Sequence, residues 1–430
     1  MGLLLGTAPK GHSFDCNLYM YSSVTLNMST LRHFLSVPRV AFLLLFFLYV
    51  FLPHAASAAV ISKPFEISGW IPYWRTATGT ADTLVHLETF TEVNPFVYTV
   101  TNTGRLNDAG SLLTDASWIQ LKQEAKLKGV RFIPTVMWSN PDAMHAVLSD
   151  TATRQLLVRM IVDEAVVNEY DGIDIDFEGK YAKTRPYFSK FLQELYKGMG
   201  NKWVQCTIES RTPIADRYFG TEPPSDAGEY ANDFAVINKN CDRVRFMTYD
   251  QQNVDQKLAS ETTEPYGPVA DTDWVEKAIR EAMKTIPKRK IVLGIATYGY
   301  EWDVRTYANN EHVYDLLWTF NPKYGLELAS KYNITPGRNA GGELGFTYFP
   351  EGAAISLPRP SIPWPYNLIA SAASALTTAN NSNMSYRMVT WSDAEAIGDK
   401  VDLAKRLGIR GVAIFKIDGG EDPGMWEALK

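Results

Sequence analysis

Asp171-Gly172-Ile173-Asp174-Ile175-Asp176-Phe177-Glu178 is the stretch best equipped for chemistry. Asp174, Asp176 and Glu178 alternate with Ile173, Ile175 and Phe177, which is the two-residue period of a strand. In a strand the three carboxylates share one face and the bulky apolar side chains the other. Neighbours on that face lie roughly 7 Å apart, from about 3.3 Å of rise per residue. Like charges at that spacing cannot all ionise freely, so at least one pKa should rise. A carboxyl kept protonated near neutral pH is a general acid. Folding alone gives no reason for such a row, because a buried unpaired charge is costly. A calcium loop is the competing chemistry, but its pattern of alternating Asp followed by Gly is absent. Asp171 has the opposite parity and is expected to be structural.

A row of this kind needs a rigid frame, and the flanking chain suggests one. Short apolar runs alternate with helical stretches. The strand candidates are Ile67–Tyr73, Val93–Val100, Val130–Met137, the carboxylate run, Trp203–Ile208, Val244–Tyr249, Ile291–Ala296 and Gly411–Ile417. Helical stretches run over about 118–128, 153–168, 187–199, 274–285 and 392–407. Eight strands in β/α alternation predict an α/β fold, a TIM (β/α)8 barrel. An open doubly wound sheet is disfavoured because no Gly-rich phosphate turn follows the first strand. Between the seventh and eighth strands, residues 303–388 break the theme. They are rich in Tyr, Gly, Pro and Asn, carry a β-like run at Gly345–Phe349, and offer Leu316, Leu317, Trp318, Leu326 and Leu328 as a core. This predicts a small α+β insertion. The expected organisation is an N-terminal extension and signal over 1–58, a first barrel part over 59–302, the insertion over 303–388, and a last barrel part over 389–430. The sequence shows no internal repeat beyond the β/α unit, no low-complexity tract and no appended carbohydrate-binding module.

Barrel active sites gather at the carboxyl ends of the strands. Glu178 sits there on the fourth strand. Met247, Tyr249 and Asp250 close the sixth. Tyr298 and Trp302 follow the seventh, Tyr73 and Trp74 the first, and Trp138 the third. The collection describes an acidic pocket with aromatic walls, which suits the apolar faces of sugar rings.

Residues 171–178 resemble the complete fourth-strand signature of glycoside hydrolase family 18, the chitinase family. Met247-Thr248-Tyr249-Asp250 resembles its sixth-strand motif. Gly294-Ile295-Ala296-Thr297-Tyr298-Gly299 is similar to its seventh, with Ala296 where Pro is frequent. The resemblance covers about residues 65 to 428. It implies substrate-assisted retaining hydrolysis, an exception to the usual two-carboxylate scheme. By carry-over Glu178 is the acid and later the base. Asp176 orients the substrate's acetamido group, Asp174 shares a proton or hydrogen bond with Asp176, and Tyr249 holds the acetamido oxygen. Asp250, Met247, Tyr73, Trp74, Trp138, Tyr298, Trp302 and Phe415 are the implied substrate contacts. Phe415 stands where many members carry a Trp under the central sugar. Trp391 and Trp426 are candidates to compensate. The implied activity is cleavage of β-1,4-linked N-acetylglucosamine polymers, chitin or chito-oligosaccharide. Peptidoglycan is the alternative, because Asn94-Pro95-Phe96-Val97-Tyr98 looks like the cell-wall branch. A non-hydrolytic sugar-binding lectin is a further alternative, disfavoured by the presence of Glu178.

Composition narrows the setting. Of 430 residues, 46% are hydrophobic, and 11 Trp and 22 Tyr exceed what a core alone requires. The formal net charge of -6 argues against nucleic acid as the main partner. Arg32 and Arg39 precede an apolar run, Val40–Leu52, then Ala56-Ser57-Ala58. That order predicts a secretory signal cleaved after Ala58, with translation starting at Met28. The run is short against the roughly 20 residues of a bilayer span, so no stable membrane insertion is expected after cleavage. The expected location is secreted or cell envelope, and the expected state a monomer. The six His residues show no ligand spacing, so no metal or other cofactor is expected. Of the three Cys, Cys206 and Cys241 fall on neighbouring strands but out of step, which argues against a bridge.

Overall fold

Each apolar run becomes a strand because its alternate side chains have two layers to fill, the barrel interior and the ring of helices outside. A computed structural model of the chain describes residues 65–353 and 362–430. The expected signal segment, its cleavage site and Met28 lie outside the described residues. Eight parallel strands close into a barrel: Glu66–Pro72, Glu92–Val100, Thr135–Trp138, Gly172–Phe177, Trp203–Glu209, Arg243–Met247, Ile291–Ala296 and Gly411–Phe415. The first pairs with both the second and the last, which leaves no free edge. Aspartates start many of the helices. Asp115, Asp150, Asp233, Asp271 and Asp393 each accept a backbone N–H of the first turn, satisfying donors that the helix leaves open. Among the described residues no helix is long and apolar enough to cross a membrane.

A second, five-stranded antiparallel sheet follows the seventh barrel strand. Its long strands are Gly299–Tyr307, His312–Phe320 and Asn383–Trp391; Leu344–Tyr348 and Gly337–Arg338 complete it. The sheet therefore begins earlier and ends later than the expected 303–388. The helices Pro322–Tyr332 and Leu368–Asn380 pack on it. Glu301, buried in the first of these strands, accepts from Trp318 Nε1, Tyr324 OH and Tyr348 OH.

The lower barrel interior is polar, which the sequence reading did not anticipate. Arg245 lies over the Trp70 ring and donates to Asp174, Glu92 and Asn94. Glu92 also accepts from Gln205 at 2.6 Å and Arg131 at 3.1 Å. Glu66 is held by Arg243, Arg410 and Arg131. Burial alone would raise the Glu66 carboxyl, but the guanidinium groups outweigh it and hold the pKa down at about 2.

Cys206 and Cys241 form a disulfide with Cα atoms 6.0 Å apart, correcting the expectation that they would not. The strands are indeed out of step, for Cys206 pairs with Val244. Cys241, however, precedes the sixth strand and closes the helix Phe234–Asn240. The chain there turns so that Asp242 N–H reaches Val204 O at 2.7 Å, which draws Cys241 to the fifth strand. The bridge spans a sequence separation of 35. The double variant Cys206→Ala/Cys241→Ala should lose about 2–4 kcal/mol of unfolding free energy in urea titrations.

Candidate active site

Strand parity decides which carboxylates meet the cavity. Asp174, Asp176 and Glu178 face inward, and Phe177 faces the helices, where it packs on Phe188 and Phe191. Asp174 is fully buried and accepts from Trp70 Nε1, Thr135 Oγ1 and Thr207 Oγ1 at 2.9 Å each, and from Arg245 at 3.3 Å. It is thus the link between the polar interior and the row above it, rather than the bonding partner of Asp176 that was expected. Asp176 instead hydrogen-bonds Glu178. A hydrogen bond between two carboxyls requires a proton on one of them. Burial is the main cause that raises the Asp176 carboxyl well above its ordinary value, and Glu178 and Asp174 add to it. Burial also raises Glu178, followed by the charge of Glu209, while the bond from Asp176 and the Lys180 ammonium oppose the shift. Asp171 turns the other way and accepts Phe132 N–H at 2.8 Å, a structural role.

Glu178 opens on a cavity of about 340 Å³ that Met247, Tyr249 and Asp250 also line. The Tyr249 ring stacks on Phe415 at 5.5 Å. Gly294 makes room for it, since a Cβ there would stand 2.9 Å from the ring. Burial, then the charge of Asp176, push the Tyr249 hydroxyl well above its ordinary value, so it is a proton-bearing donor at neutral pH. Asp250 has φ of 56°, and its Oδ1 accepts from Tyr298 at 2.6 Å and from Tyr300. Tyr298 therefore supports Asp250 from a buried position. Phe415 floors the interior with Trp70, Phe96, Met137 and Tyr249 around it.

Other expected contacts are dispersed. Trp74 is 52% exposed beside Tyr73, in a short 3-10 turn after the first strand. Trp138 is buried against Phe177, because its register partner is that outward-facing residue, and Met137 beside Asp176 takes the inward place. Trp302 is buried in the second sheet, donating to Gly267 O at 3.0 Å and packing on Tyr300 and Tyr314. Neither Trp138 nor Trp302 lines the cavity. Trp391 packs on Phe320 and Phe346 in the lobe, and Trp426 stacks on His86, so neither stands in for the missing eighth-strand Trp. The reading from sequence missed Glu209, Arg211, Arg217, Tyr230 and Trp274 in the cavity wall. The rule that located Glu178 would have found Glu209, the last residue of the fifth strand.

The sequence and the fold have known relatives. The family model for glycosyl hydrolases family 18 matches residues 71–420. The uncharacterized glycosylase YvbX of Bacillus subtilis is 24% identical over 340 residues, covering 77% of this chain and 83% of that one. A chitinase from Chromobacterium violaceum superposes with a TM-score of 0.63 at 21% identity, over 85% of this chain and 98% of that one. The spore cortex-lytic enzyme SleL of Bacillus cereus superposes with a TM-score of 0.61 at 18% identity, over 85% and 73%. An eight-stranded parallel barrel, a carboxyl pair at the end of its fourth strand and a model match over most of the chain identify it as a glycoside hydrolase belonging to family 18.

Proposed function

We propose that the protein is a secreted or envelope-associated monomer that cleaves β-1,4-linked N-acetylglucosamine polymers, chitin or chito-oligosaccharide, with retention of configuration. The observation that carries this reading is the Asp176–Glu178 bond facing the buried hydroxyl of Tyr249 across one cavity. Glu178 protonates the leaving glycosidic oxygen. The substrate's acetamido carbonyl oxygen attacks the anomeric carbon as the glycosidic bond breaks, forming an oxazolinium. Asp176 Oδ1 is buried and accepts no hydrogen bond from the described residues, which suits it to the acetamido N–H. Tyr249 donates to the acetamido oxygen and Asp250 contacts the sugar. Water then attacks the anomeric carbon, gives its proton to Glu178 and reopens the acetamido group. Burial of the site strengthens each of these contacts. Turnover of a chromogenic N-acetylglucosamine oligomer tests the activity. Binding without cleavage would favour a lectin instead. Proton NMR of the first product should show the β anomer, and the α anomer would rule out retention.

A second reading, peptidoglycan as substrate, is favoured by Arg211. Its guanidinium lies in the cavity wall between the rings of Tyr230 and Phe234, 3.9 and 3.6 Å from their centroids, and donates to Asn232 O. Among the described residues it has no carboxylate partner at ion-pair distance. An acidic substituent on alternate sugars would supply one. Arg211→Met should then lower kcat/KM on peptidoglycan strands by roughly 10-fold to 100-fold more than on chito-oligosaccharide, the worth of a charged hydrogen bond. Equal loss on both substrates would discard this reading.

A further inference from the structure

Glu178 is held from both sides by a pair of charges that the reaction as described does not use. On one side, Lys180 donates to Phe177 O, the carbonyl just before the acid. On the other, Glu209 Oε1 accepts the N–H of Gly179, the residue just after it, at 2.9 Å. Gly179 has φ of 66°, in the left-handed region that favours glycine, so the chain leaves the fourth strand through a tight turn at this point. The two holders face each other, with Lys180 Nζ 3.5 Å from Glu209 Oε2. The Lys180 side chain is wholly buried and lies 4.8 Å from the centre of the Phe188 ring. Glu209 Oε2 also accepts from Asn232 at 2.6 Å. Burial would raise Glu209, but Lys180 and the N–H donors outweigh it and hold the carboxyl below its ordinary value. Its charge is therefore permanent at neutral pH, and it shares the cavity wall with Glu178.

We propose that Glu209 is a positioning residue for Glu178, fixing the turn behind the acid and setting a constant negative charge beside it, with Lys180 as counterweight. The proposal rests on reading Glu178 as the proton donor. The other groups facing Glu178 are Asp176 on its own strand, Tyr249 and Asp250 after the sixth strand, and Arg211, Arg217 and Tyr230 from the segment after the fifth. A negative neighbour favours the protonated acid, and a positive neighbour favours the ionised one.

Glu209→Gln separates charge from shape. The amide oxygen keeps the Gly179 N–H. The new N–H₂ meets Asn232, whose Oδ1 is buried and accepts no bond from the described residues, so a turn of that amide receives it. The test is a carbon-13 titration of the glutamate carboxyls in the full chain, with the Glu178 signal identified by its loss in Glu178→Gln. The midpoint belongs to the Asp176–Glu178 pair as a unit. In Glu209→Gln it should fall by about one pH unit, and the basic limb of kcat/KM should fall with it. In Lys180→Met both should rise. A midpoint that stays or rises in Glu209→Gln, or stays or falls in Lys180→Met, overturns the proposal. Should circular dichroism show Glu209→Gln unfolded, the Lys180→Met titration decides alone. The titration needs no substrate, so a native protein that hydrolyses no N-acetylglucosamine glycoside would fail the functional reading while the answer on Glu209 still stands.

Discussion

Glu178→Gln should lower kcat by roughly 10²-fold to 10⁴-fold on chito-oligosaccharide and leave the dissociation constant for the same oligomer within a few-fold. The amide keeps the shape of the side chain and removes the proton it donates. The backbone around it does not depend on its charge: Glu178 N–H donates to Trp138 O at 2.8 Å, and Lys180 and Glu209 hold its neighbours. Folding should therefore be preserved. The sign of the pH dependence follows from the same geometry. Burial and Glu209 raise Glu178, so its protonated form persists to higher pH than for a free carboxyl, and activity falls as pH rises through the raised value. Steady-state kinetics with isothermal titration of the variant check both parts, and unchanged turnover would remove Glu178 from the chemistry.

The largest expected effect on stability lies below the site. Arg245→Met should cost about 3–5 kcal/mol, because it leaves the buried Asp174 carboxylate without its counter-charge and removes one of the two guanidinium partners of Glu92. Arg245 alone joins Asp174 to Glu92, two carboxylates that are both buried, and Asn94 takes a third bond from it at 2.9 Å. Methionine replaces the stem but none of the donors. A triple variant that also carries Asp174→Asn and Glu92→Gln should recover much of the loss, since neutral amides need no counter-charge. Urea unfolding of the single and triple variants makes the comparison. A cost under about 1 kcal/mol for Arg245→Met would show that water, rather than the guanidinium, balances these carboxylates.

The barrel was legible because its signal is periodic. Apolar strand candidates recur along the chain with helical stretches between many of them, and all eight strands form. The acid and its neighbours were legible because a row of carboxylates on one strand face has few structural uses. What stayed hidden depends on side-chain direction across strands. Trp138 and Met137 are adjacent in sequence, and only the register with Phe177 and Asp176 decides which one faces the cavity. The abundance of Tyr and Trp suggested sugar platforms. Many of them instead satisfy acids of the protein itself, as Tyr298 and Tyr300 do for Asp250, and Trp318, Tyr324 and Tyr348 for the buried Glu301. The disulfide was not legible because strand register alone sets the two cysteines out of step, and only the turn before the sixth strand brings Cys241 back to Cys206. The Glu66 and Glu92 clusters draw on residues far apart in sequence, such as Glu66 with Arg243 and Arg410, so no local pattern announces them.

The central claim is that the sugar's own acetamido oxygen is the nucleophile beside Glu178. The most direct measurement compares kcat/KM for two otherwise identical chromogenic β-glycosides, one with a 2-acetamido group and one with 2-trifluoroacetamido. Fluorine withdraws electrons from the carbonyl oxygen and leaves the sugar, linkage and leaving group unchanged. A steep fall in rate with the fluorinated substrate is the predicted result, and equal rates on both would contradict it.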